Sequence, residues 1–147
     1  MAVDLGPYAQ PLVHYGCNLA RDLDAELILT SVIDQRVMEA FKSILNKKMD
    51  WSAETLLKDR EHQLAEKLLE LLEREYCESV AHRIAVRTGV PFKAILSVID
   101  EEAPDLLIIG AKGRTNLKDV VVGSCAEKLF RRSPIPILTL PANYETL

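Results

Sequence analysis

The stretch that decides the fold runs Leu106-Leu107-Ile108-Ile109-Gly110-Ala111-Lys112-Gly113 and resumes at Gly123-Ser124-Cys125-Ala126-Glu127-Lys128-Leu129. Four consecutive apolar residues read as a buried strand. They empty into a glycine-bearing loop, and Gly123-Ser124 opens a helix. Glycine lets backbone approach a ligand closely, and a helix start offers N–H groups without intrahelical partners. Together they form a natural seat for phosphate. The spacing is Gly-x2-Gly-x9-Gly-Ser. It excludes a Walker A loop: Gly113-Arg114-Thr115 imitates the end of one, but Ile108 stands where its first glycine belongs. The dinucleotide fingerprint Gly-x-Gly-x-x-Gly is also missing.

On either side of this stretch the chain alternates strand and helix. Met1 to Asp4 reads as the end of a strand, and Gly6-Pro7 as a helix start. Leu12, Val13, Tyr15, Gly16, Leu19 and Ala20 recur at helical spacing and carry that helix to about Leu23. Glu26 to Ile33 is a nearly continuous apolar strand closed by Asp34. A helical region from Arg36 to Tyr76 breaks near Met49-Asp50, and Ser52, Glu54 and Thr55 mark a fresh helix start. Leu56, Leu57, Leu64, Leu68, Leu71 and Leu72 form its apolar face. Packing on a sheet explains that stripe without a coiled-coil partner. Glu66, Glu70, Glu73, Glu75 and Glu78 then read as its solvated face. His82 to Arg87 is a short strand ended by Gly89-Val90-Pro91. Phe92 to Glu102 is a helix stopped ahead of Pro104, and Asp105 to Ile109 is the strand feeding the loop. Ser124 to Arg132 is a helix, and Ile135 to Leu140 a last strand bounded by prolines.

Strands separated by helices pair in parallel. The expected architecture is an open five-stranded α/β sheet with helices on both faces, built as a single domain over residues 1–147. In such sheets ligands bind beyond the carboxyl ends of strands, where the strand order reverses. Asp4, Val32 and Gly110 all stand at carboxyl ends.

Composition narrows the function. Hydrophobic residues make up 48% and charged residues 27%, as in ordinary globular domains. A net charge of -4 argues against a general nucleic-acid binder. No apolar run approaches the roughly 20 residues of a membrane span, and no secretory signal is visible, so the expected compartment is the cytoplasm. Cys17, Cys77 and Cys125 are odd in number and far apart, which predicts separate thiols rather than a disulfide or zinc site. Cys125 falls in the first turn of a helix, where a thiolate is favoured and redox sensing is conceivable. His14, His62 and His82 lie on separate elements without ligand spacing.

The first-strand Asp4, the strand ending Ser31-Val32-Ile33-Asp34, the Gly89-Val90-Pro91 turn, the Gly110/Gly113/Gly123-Ser124 loop and the Ser133-Pro134-Ile135-Pro136-Ile137-Leu138 ending together resemble a universal stress protein. The glycine pattern resembles that of the family's ATP-binding branch. The resemblance implies a Rossmann-like, adenine nucleotide alpha hydrolase-like sheet in the order 3-2-1-4-5. It implies that Asp4 and Val32 contact adenine and that Gly110 runs beneath the ribose. Gly113, Gly123 and the amides of Ser124 and Cys125 would wrap the phosphates, with the Ser124 hydroxyl as a further donor. The cofactor it implies is ATP or AMP with Mg²⁺. Lys112, Arg114 and Lys118 lie in or beside the loop, either neutralising phosphate or standing as solvated charges.

Two departures from the family stand out. Only Met1, Ala2 and Val3 precede Asp4, which suggests a start further upstream or a trimmed sequence, and Gly6 stands where the family tends to carry Ser or Thr.

Hydrolysis would require an oriented water, a base and a metal clamp. The loop supplies binding without an obvious base, and Asp119 is the one candidate to help hold Mg²⁺. The expectation is binding with at most slow turnover. The last strand, with Ile135, Ile137, Leu138 and Leu140, would form a sheet edge able to pair with a second copy. Three readings follow: a nucleotide-dependent switch or adaptor acting on an unknown downstream protein, a slow Mg²⁺-dependent ATPase, and an interaction module with an empty loop.

Overall fold

The computed structural model describes residues 1–45, 53–75, 77–111, 123–141 and 144. Its elements, in chain order, are α1 (Ala9–Asp22), β1 (Leu27–Asp34), α2 (Gln35–Leu45), α3 (Ala53–Arg74), β2 (His82–Gly89), α4 (Pro91–Glu102), β3 (Leu107–Gly110), α5 (Ser124–Arg132) and β4 (Ile137–Leu140). The alternation is the one the sequence predicts, with boundaries moved by a few residues. Gly6 and Pro7 sit in a turn ahead of α1, where the Ala9 amide donates to the Gly6 carbonyl at 3.0 Å. Pro91 opens α4 because its fixed φ suits the first helical position. Ala103 closes α4 in the left-handed conformation, φ 46°, immediately before Pro104.

β1 pairs with β2 in parallel from Leu27–His82 to Asp34–Gly89, and β3 with β4 from Leu107–Ile137 to Gly110–Leu140. The expected strand at Met1–Asp4 is reduced to an isolated parallel bridge between Ala2 and Thr30. Its residues still reach both pairs: the Val3 amide donates to Thr30 O at 2.8 Å, and the Ala2 amide to Ile108 O at 2.9 Å.

Side-chain alternation along the strands sorts the core into two faces. Leu27, Leu29 and Ile108 join Leu12, Val13 and Cys17 of α1 and Leu68 and Leu72 of α3 in one cluster. Leu107 and Ile109 turn the other way, into a cluster with Phe92, Ile95 and Ile99 of α4 and Ala126 and Leu129 of α5. Helices therefore cover both faces. The α3 stripe behaves as helix-on-sheet packing, with Leu64, Leu68 and Leu72 buried and the lysines and most glutamates outside. Burying one such leucine contributes about 1.5–3 kcal/mol.

Two expectations need correction. Glu75 is not on the solvated face: its Oε2 lies 2.8 Å from His14 Nδ1 on α1, and its side chain is 8% exposed. Cys17 and Cys77 are not separate thiols. They form a disulfide with a Cα–Cα separation of 5.7 Å, and both are fully buried. Odd cysteine number and wide spacing carry no information about which pair the fold brings together. α1 and the connection from α3 to β2 pack against each other, and that contact places two distant cysteines side by side.

Candidate functional site

β3 ends at Gly110, and Ala111 carries the chain just past the sheet. Its carbonyl accepts a hydrogen bond from the Gly123 amide at 2.8 Å, so Ala111 and Gly123 stand side by side. Gly123 then caps α5 in extended conformation, φ -68° and ψ 152°, without a side-chain cap. No side chain of the cap residue therefore occupies the first amides of α5, which keep their capacity to bind an anion. Ser124 is exposed at this helix start and Cys125 is half-buried.

The carboxyl end of the strands and the start of α5 enclose a cleft of about 360 Å³, within the range of small-molecule sites. Of the residues singled out by sequence, Asp4, Val32, Gly110, Gly123, Ser124 and Cys125 all line it. Gly113 and Arg114 lie outside the described residues, as do Lys112, Lys118 and Asp119. The cleft also takes residues the sequence reading passed over. Thr30 and Asp34 line it beside Val32 because alternate residues of β1 share a face. That period-two rule was the available signal for both. Pro91 and Ile95 of α4 supply an apolar wall opposite, together with Ile109 and Leu129. Nothing local marks Ile95 as more than core.

Asp4 is committed in part to its own turn: its Oδ1 accepts from the Gly6 amide at 2.9 Å. A Cβ at position 6 would stand 3.1 Å from that oxygen, so the glycine gives the carboxylate room. Asp34 is held by the Arg36 guanidinium, with Nη2 2.5 Å from Oδ2. Among the described lining residues, Asp4 and Asp34 carry the only charges, and both are negative. A polyanion here needs cationic help from elsewhere.

The thiolate expected at Cys125 is not what the site favours. Burial pushes the thiol pKa up, the nearby Asp4 carboxylate adds to that, and Lys128 opposes it without prevailing.

His14 bonds Glu75 and Asn18, His82 bonds the Val80 carbonyl, and His62 sits beside Glu66 on the surface of α3. Among the described residues no group of His, Cys, Asp or Glu is arranged to hold a metal ion, and no helix is long and apolar enough to cross a membrane.

With fold and cleft in view, comparison with known proteins is direct. The model of the Universal stress protein family matches residues 1–141. The chain is 30% identical over 125 residues to Universal stress protein MJ0577 of Methanocaldococcus jannaschii, covering 78% of this chain and 76% of that protein. It is 25% identical over 137 residues to a universal stress protein of Methanothermobacter thermautotrophicus, covering 90% and 88%. Among solved structures, MJ0577 aligns with a TM-score of 0.79 at 20% identity, over 98% of this chain and 94% of that one. A universal stress protein in complex with cAMP aligns at 0.68 and 20%, over 95% and 93%. These structural likenesses establish the α/β fold. The chain belongs to the universal stress protein family.

Proposed function

We propose that the chain is an ATP-binding universal stress protein, a single-domain cytoplasmic switch or adaptor whose nucleotide state alters a surface read by another protein. One observation carries the reading. Asp4 beside the Ala2–Thr30 bridge, Val32 near the end of β1 and Gly110 at the end of β3 converge with the uncapped start of α5 on a single cleft. A relative of the same fold is known in complex with cAMP, which favours an adenine nucleotide over other anions.

The hydrogen bonds from residues 1–3 to both Thr30 and Ile108 support one continuous five-stranded sheet in the order 3-2-1-4-5. The strand order then reverses beside Asp4, the expected ligand position. Adenine would lie between Val32, Ile95 and Asp4. Gly110 would pass beneath the ribose, and the amides of Ser124 and Cys125 would meet the phosphates. Charge-assisted bonds of this kind contribute roughly 1.5–3 kcal/mol each, and micromolar affinity needs about 8 kcal/mol. Because the described lining is acidic, Mg²⁺ together with Arg114 would supply the counter-charge, with Gly113 completing the phosphate loop. In the second part of the reading, the outer edge of β4, within Ile135 to Leu140, pairs with a second copy, as open sheet edges do.

Calorimetric titration of Mg²⁺-ATP and of AMP into the purified protein tests the first part. Saturable micromolar binding is expected. A folded, nucleotide-free protein that takes up neither would overturn it. Phosphate release measured in parallel separates a switch from a slow ATPase. Sedimentation velocity tests the second part, with a dimer expected to gain population when ATP is added.

A further inference from the structure

We propose that Cys17 and Cys77 form a reversible dithiol–disulfide couple whose oxidation state sets how firmly α1 is tied to the connection between α3 and β2. The pair closes a separation of 60 residues and joins elements far apart in sequence. Its Cα–Cα distance of 5.7 Å lies at the centre of the range for natural disulfides.

The backbones that carry the two sulfurs are held by other contacts. One turn before Cys17, His14 bonds Glu75, which stands two residues before Cys77. The Cys77 amide donates to Leu72 O at 3.0 Å, and its carbonyl accepts from the Val80 amide at 2.9 Å. These bonds do not depend on the sulfur–sulfur link. In the reduced protein they keep the thiols facing each other, and such proximity makes closure intramolecular and favourable. Cys125 lies in the cleft by α5, within the other core cluster, and takes no part.

The oxidant is a peroxide. One cysteine sulfur attacks a peroxide oxygen, the O–O bond breaks, and a sulfenic acid and water result when the peroxide is hydrogen peroxide. The second sulfur displaces the sulfenic oxygen as a second water. One S–S bond forms, two S–H bonds are lost, and the two electrons end on the peroxide oxygens. A small dithiol reverses the reaction through a mixed disulfide. Both cysteines are fully buried, so either reagent enters only through local opening of the packing around the pair. Exchange in the native protein is therefore slow beside the reaction of the half-buried Cys125.

α1 also reaches the cleft, which Tyr8 and Leu12 line from its amino-terminal end. The couple thus braces the same helix that helps to wall the candidate site. It operates whether or not that site takes a nucleotide.

The test uses the full-length protein, reduced with dithiothreitol or oxidised with hydrogen peroxide, then unfolded and alkylated with iodoacetamide. Of the 3 cysteines in the chain, all should be labelled after reduction. After oxidation the peptides carrying Cys17 and Cys77 should be joined. The oxidised protein should melt on the order of 10 °C higher, as closure of a long loop predicts for a domain of this size. Cys125→Ala should keep that difference and Cys17→Ala should abolish it. Comparing the two redox forms of the unsubstituted protein needs no variant to fold. Unlinked Cys17 and Cys77 peptides after oxidation, a link made through Cys125, or equal melting temperatures would each overturn the proposal.

Discussion

The amide of Gly123 donates to the carbonyl of Ala111 across 2.8 Å, tying the end of β3 to the start of α5. This one bond brings the carboxyl end of a buried strand and the amino end of a helix to the same rim of the cleft. It places the first amides of α5 beside Gly110, where a phosphate would meet both.

Gly123→Val puts a branched side chain at that rim. Loss of a favourable cap residue costs about 1 kcal/mol, which corresponds to roughly 2–4 °C in melting temperature. Nucleotide affinity should fall at least about tenfold, or about 1.4 kcal/mol, because backbone approach is blocked. Calorimetry and thermal melting on the same preparation separate the two effects. Unchanged affinity would remove Gly123 from the site.

Asp4→Asn keeps an oxygen for the Gly6 amide but removes a negative charge near Cys125. The thiol pKa should drop, since Asp4 contributes to its elevation. Lys128→Gln should move it the opposite way. The rate of alkylation against pH reads both shifts. Identical profiles for the two variants and the parent would show that the neighbouring charges do not reach the sulfur.

Stability should bend downward in mild alkali for the same reason. A thiol whose folded pKa is raised holds its proton in the native state after the unfolded chain has released it. The native state then binds more protons, and the sign of the linkage makes stability fall as pH rises. The loss begins near the ordinary thiol value of 9.0 and continues up to the folded one. Cys125→Ser should flatten this limb in urea unfolding carried out from pH 7 to 10.

Leu68→Ala removes a side chain with no exposed surface from the cluster joining α1, α3, β1 and β3. The lost transfer energy and the cavity together cost about 2–5 kcal/mol. Urea unfolding should show a lower midpoint with an unchanged slope. Leu69→Ala, one residue along on the outer face and 44% exposed, should change little. Equal losses at both positions would mean that α3 packs through a different face.

Much of this molecule was legible from local pattern. α5 begins and ends where the sequence reading put it, because Gly123-Ser124 supplies a start and Ser133-Pro134 a stop. The α3 stripe identified its buried residues through helical periodicity, and six of the eight candidate ligand residues line one cleft. The other two, Gly113 and Arg114, lie outside the described residues. The chain was less readable where local and tertiary signals part. Asp34 reads locally as a strand terminator, and nothing in the sequence sets Ile95 apart from the rest of its helix. Both line the cleft because β1 ends and α4 begins at the same rim.

Local sequence carries the alternation of elements, most helix boundaries to within a few residues, and the motifs that resemble the family. The first two are written in short-range periodicity and capping chemistry, the third in particular residues at fixed spacing. Tertiary packing alone decided that Cys17 meets Cys77, that Glu75 turns inward to His14, and that burial, with Asp4 adding to it, pushes the Cys125 thiol pKa up. Those outcomes depend on how whole elements pack. No local pattern specifies which distant side chains that packing brings within a few ångströms, or how much water it leaves around them.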